Sequence, residues 1–150
     1  CVLKRTVLKT NFMNSIQEKE FRRRQISFVG LLSAITVILL GLHYYIYYYF
    51  AASVDLKIPL WTVYAFHFIV VLLIYSFINY RHTSGKTDVF NVFMILTFLK
   101  MILAVVFLLP VLLSSLENKV PDVLNFFFPY FIYLGLEVWT VTNFLKEKTN

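Results

Sequence analysis

Two ionisable side chains stand where an apolar chain least tolerates them. Lys100 lies near the middle of VFNVFMILTFLKMILAVVFLLPVLLS (89–114), and Glu137 lies inside NFFFPYFIYLGLEVWTVTNF (125–144). Each apolar stretch reaches the roughly 20 residues that cross a bilayer at 1.5 Å rise per residue. An ammonium at that depth costs at least about 2.5–3.5 kcal/mol, so it needs a compensating partner. Glu137 is the one other acid or base within an apolar run. Three readings stay open: a structural pair that pins two helices, a contact for a charged group on a partner or an ion, or two residues that never meet.

The histidines carry weaker chemistry. His43 sits 7 residues before Phe50 and His67 sits 8 after Pro59, so both lie about 10–12 Å below the same membrane face and at matching depth. With no Asp, Glu or Cys beside them they lack a metal-ligand set, and hydrogen-bonded core histidines are expected. His82 falls in a loop and is expected to be solvated. Arg22, Arg23, Arg24, Arg81 and Lys86, with Lys146 and Lys148, flank apolar segments, where lipid phosphate or a partner is the expected contact. No catalytic residue and no metal site is predicted. The patterns GxxxxGK[ST], GxGxxG, HExxH, GxSxG and CxxC do not occur, and Ser114 and Ser115 have no histidine suitably placed. The chain reads as non-enzymatic.

The elements that must position these residues follow from composition. Of 150 residues, 59% are apolar, 19% aromatic and 15% charged, more apolar surface than one soluble core can hide. The fold class is an all-α membrane protein of four transmembrane helices in two antiparallel hairpins. The net charge of +6 argues for anionic lipid rather than nucleic acid, because the basic residues cluster beside the spans. One cysteine, Cys1, excludes an internal disulfide.

In order, residues 1–25 form a basic cytoplasmic tail, with a surface helix from Ser15 supported by the i, i+4 pairs Glu18–Arg22 and Glu20–Arg24. Residues 1–12 read as an upstream extension with Met13 as a natural start. The rival, a lipid-modified Cys1 after signal cleavage, runs against the charge rule. The transmembrane domain spans 26–145, with spans at about 26–50, 60–80, 89–114 and 123–144, and a cytoplasmic tail at 146–150. The first span ends in HYYIYYYF, an aromatic belt for the headgroup level. Its Gly30 and Gly41 permit close helix approach but lack GxxxG spacing. Pro59 suits the first turn of the second helix. In RHTSGKTD, Ser84-Gly85 breaks the chain and Thr87 or Asp88 caps the third helix. Pro110 is expected to bend the third helix, Pro121 to open the fourth, and Pro129 to kink it.

Orientation follows from Lys and Arg outside the spans. Seven lie in the N-terminal tail, two in the loop after span two and two in the C-terminal tail, eleven in all, against Lys57 and Lys119 on the other side. The positive-inside rule therefore puts both termini in the cytoplasm. Lys100 then lies about 18 Å from the cytoplasmic end of its helix and Glu137 about 10 Å from the same face. Their side chains lean toward one another, since each points to the N-terminus of its own helix.

The basic tail, the loop YRHTSGKTD, the lysine in FLKMILAVVFLLPVLL and the span NFFFPYFIYLGLEVWTVTNFLKEK together resemble ATP synthase protein I, a small membrane protein family encoded with bacterial F-type ATP synthases. The resemblance covers roughly residues 25–148 and rests on layout more than on a signature. Lys100 matches the basic residue of that family's third helix and Pro129 a proline early in its fourth. Thr97 stands where an acidic residue is common, and Glu137 where a neutral polar one is expected. The resemblance implies an accessory role in assembling or stabilising the ATP synthase membrane rotor, contact with the a or c subunits, and magnesium as a linked ion by resemblance only. The alternative function is a small oligomeric transporter or flippase-like subunit using the Lys100–Glu137 pair.

Overall fold

The computed structural model describes residues 2–50, 53–86, 88–115 and 118–149, and the side chains of 10–50, 53–86, 88–115 and 118–147. The described backbone is helix and short connection. Helix α1 runs Val2–Phe50, α2 Leu60–Thr83, α3 Val89–Leu112 and α4 Val120–Thr149. All four contain a stretch long and apolar enough to cross a membrane, the architecture of a multi-pass membrane protein.

The ends of these helices follow local chemistry. Pro59 precedes α2 as its N-cap with an extended backbone, φ −60° and ψ 139°, one position before the expected first turn. Helix α2 closes on Gly85, whose φ of +71° is left-handed. The Gly85 N–H donates to the His82 carbonyl at 3.0 Å and the Lys86 N–H to the Arg81 carbonyl at 3.2 Å, satisfying terminal acceptors. Asp88 occupies the N-cap position of α3 but makes no side-chain cap bond. Its carboxylate is taken by the Arg81 guanidinium instead. Pro121 falls in the first turn of α4, and α3 and α4 run through Pro110 and Pro129.

Helix α1 is continuous from the basic segment into the first span, so the expected tail and surface helix are one rod with it. At Gly30 and Gly41 an added methyl group would meet nothing within 4 Å; neither glycine serves close helix approach.

Packing centres on α2, which touches α1, α3 and α4, while α3 also packs on α4. One apolar cluster gathers Leu32, Tyr64, Val71, Ile78 and Tyr133, and a second gathers Val63, Ala104, Leu108 and Phe126. The outer face of α3 is left apolar and exposed, with Ile95, Phe98, Val105 and Val106 among its residues. Outward apolar side chains are what lipid or a membrane partner requires. Cys1, Lys4, Arg5, Lys9, Thr87, Glu117 and Lys148 lie outside the described side chains.

Candidate functional site

The third and fourth helices bring the two intramembrane charges together. Lys100 Nζ donates to Glu137 Oε1 at 3.0 Å and to Oε2 at 3.1 Å. The lysine is 0% and the glutamate 3% exposed. The ammonium also stands 5.0 Å from the centre of the Tyr130 ring, whose π face attracts a cation. The two hydrogen bonds and the ring face are what the structure sets against the cost of desolvating both charges. Thr97, one turn before Lys100, has a buried hydroxyl with no hydrogen-bond partner.

His67 lies beside this pair, fully buried. Its Nδ1–H donates to the Val63 carbonyl at 2.7 Å, which fixes the tautomer and leaves Nε2 as an acceptor without a partner. The imidazole stacks on Tyr133 at 5.5 Å between ring centres and contacts Phe126. Tyr133 donates in turn to Thr36 Oγ1 at 2.6 Å, because the Thr36 hydroxyl proton goes to the Leu32 carbonyl.

His43 takes different partners. Its Nε2 meets Asn125 Oδ1 at 2.9 Å and its Nδ1 meets the Tyr64 hydroxyl at 3.1 Å. Asn125 Oδ1 can only accept, so Nε2 carries the proton, and the Tyr64 hydroxyl lies within reach of both Nδ1 at 3.1 Å and the Leu39 carbonyl at 3.3 Å. One imidazole thus ties α1 to both α2 and α4. Both ring nitrogens of His43 have partners and His67 keeps Nε2 unpaired; among the described residues no group of three His, Cys, Asp or Glu could hold a metal ion.

At the opposite end of these helices the basic residues divide. Arg22 and Arg23 are exposed. Arg24 turns inward, with Nη2 on Glu147 Oε2 at 2.8 Å and Nη1 on His82 Nδ1 at 2.8 Å, in place of the expected Glu20. The solvated loop histidine is overturned: His82 belongs to α2, has a side chain 10% exposed, and packs on Phe144 at 4.7 Å between rings. The helix continues past the expected end near residue 80, carrying the imidazole onto α4. Arg81 is likewise engaged by Asp88 rather than left for lipid, while Lys86 and Lys146 are exposed.

Several ties escaped sequence reasoning. Asp122 is buried and its Oδ1 accepts from the Ile58 backbone N–H at 2.9 Å, holding the α1–α2 connection on the start of α4. Asn79 Nδ2 donates to the Phe21 carbonyl at 3.1 Å, and Gln25 Nε2 to Ser76 Oγ at 2.6 Å. The available signal was polarity itself: Asn79, Asn125 and Asp122 are among the amides and acids lying in or against apolar runs, where a buried polar group seeks a partner.

The arrangement binds helices to helices. Most of the polar contacts named here join one helix or connection to another, and Lys100 and Glu137 offset each other's charge. Comparison with family models, with curated proteins and with solved structures gives no match for this chain.

Proposed function

We propose that this chain is a non-enzymatic accessory protein that assists assembly or stability of the membrane rotor of an F-type ATP synthase, in a bacterial cytoplasmic membrane. The observation that carries the reading is the closed Lys100–Glu137 pair. It sits on the lysine by which the third helix resembles ATP synthase protein I, and it leaves neither charge available for chemistry on a substrate. The exposed apolar face of α3 offers a neighbouring membrane subunit a surface, with the a and c subunits the partners that the resemblance suggests.

The reading includes two antiparallel hairpins with both termini cytoplasmic. Register supports it: Gln25 meets Ser76 and His43 meets Tyr64, so α1 and α2 advance in opposite directions. Lys100 meets Glu137 and Phe107 meets Phe126, giving α3 and α4 the same relation. The charge count then sets the sidedness.

The alternative, a transporter subunit, needs an ionisable group that exchanges water or cargo during its cycle. Deleting the protein should lower the amount of assembled rotor ring while the soluble catalytic head still forms. Unchanged ring assembly, with solute uptake into liposomes by the purified protein, overturns the proposal in favour of transport.

A further inference from the structure

Between α1 and α4, at the end marked by the arginines, a cleft of about 310 Å³ opens to the exterior. Its rim carries Arg23, Arg24, Ser27, Asn143 and Glu147, and its apolar wall includes Phe28, Leu31 and Trp139. The polar and apolar parts are segregated in the order a phospholipid requires. Charged groups lie where Arg22–Arg24 end the apolar span that starts at Ile26, and Phe28 and Leu31 of the apolar wall lie within the first two turns of that span.

We infer that this cleft is a binding site for one anionic phospholipid, its phosphodiester on Arg23 and the start of an acyl chain along Leu31 and Trp139. Charge chooses the occupant. Arg24 is spent on Glu147 and His82, so the rim retains one uncompensated positive charge, that of Arg23. Among the described residues the side chains of Arg23, Ser27 and Asn143 make no hydrogen bond or ion pair within the protein, leaving a guanidinium, a hydroxyl and an amide as donors for phosphate oxygens. Arg24 still shapes the site: its backbone carbonyl accepts from Tyr75 at 3.2 Å, and Tyr75 stacks on Phe28 at 3.6 Å between ring centres. The cleft floor is therefore fixed by three helices before lipid arrives. Trp139, 57% exposed, has the amphipathic ring that favours the headgroup level. Basic clefts between membrane helices on the cytoplasmic side are a recurrent form of anionic-lipid recognition.

The test uses the full chain in detergent with equal amounts of phosphatidylglycerol and phosphatidylcholine, and native mass spectrometry to read the retained lipid. One phosphatidylglycerol per chain is expected in preference to phosphatidylcholine. Arg23→Gln should lower that preference about fivefold. Arg22→Gln, which removes the same charge outside the cleft, should leave it unchanged. Equal losses in the two variants would mean diffuse attraction to a basic surface and overturn the site, as would retention of both lipids alike. Phosphatidylglycerol should also raise the melting temperature of the unmodified protein, whereas glycerol 3-phosphate at equal concentration should not. Equal stabilisation by the soluble phosphate would show an anion site without lipid specificity and defeat the proposal.

Discussion

Lys100 and Glu137 were legible because isolation made them so: one base and one acid in otherwise apolar runs must find each other or bear the cost of charge in hydrocarbon. Their contact at 3.0 Å leads to an asymmetric expectation. Lys100→Met or Glu137→Gln alone strands a polar group in low dielectric and should destabilise by about 3–5 kcal/mol. The double change should cost much less, since hydrophobic replacement of a buried pair is often neutral. Thermal unfolding in detergent measures all three, and simple additivity of the single effects would show that the residues are uncoupled. Tyr133 and Tyr64 were not legible in this way. Ten tyrosines crowd this chain, and nothing in their spacing separates those that bond Thr36 and His43 from the exposed Tyr44, Tyr45, Tyr48 and Tyr49. His82 misled for a related reason, since RHTSGKTD reads as a turn throughout while its first three residues are helical.

Helix existence was readable from apolar run length, and helix ends were less so. The Asp88 side chain is diverted from capping by Arg81, a tertiary choice no local pattern encodes. The 49 residues of α1 extend about 74 Å at 1.5 Å each, well beyond a hydrocarbon core of about 30 Å, so a large part of this helix must stand outside the membrane. Gly85 is the one glycine whose backbone decides an element boundary. Its positive φ costs an L-residue about 1–2 kcal/mol, and open space around it excludes a side-chain clash. Gly85→Ala should therefore destabilise by about 1 kcal/mol, and Gly85→Asn by less, because asparagine tolerates this conformation. Equal melting temperatures for Gly85→Ala and the unmodified protein would mean that the left-handed turn does not hold the end of α2.

For the whole molecule, hydropathy gives four helices long and apolar enough to cross a membrane, the charge count gives the sense proposed for them, and buried polar contacts give the way they pack. The first belongs to composition and was readable directly. The third depends on pairings such as Asp122 with the Ile58 amide and Arg24 with Glu147, which join residues far apart in sequence. Sidedness is the property most open to a decisive measurement. Ser53 and Ser84 are both exposed and lie in successive connections, before α2 and after it. In the proposed topology eleven of thirteen basic residues outside the spans fall on the side of Ser84, the side that the preference for retaining Lys and Arg would assign to the cytoplasm. With Cys1→Ser as background, cysteine at position 84 should resist a membrane-impermeant maleimide in intact cells and react after permeabilisation. Cysteine at position 53 should react in intact cells. The reverse pattern would invert the bundle and place the arginine cleft outside, and labelling of both positions from one side would require α2, which lies between them, not to cross the membrane, and would overturn the topology.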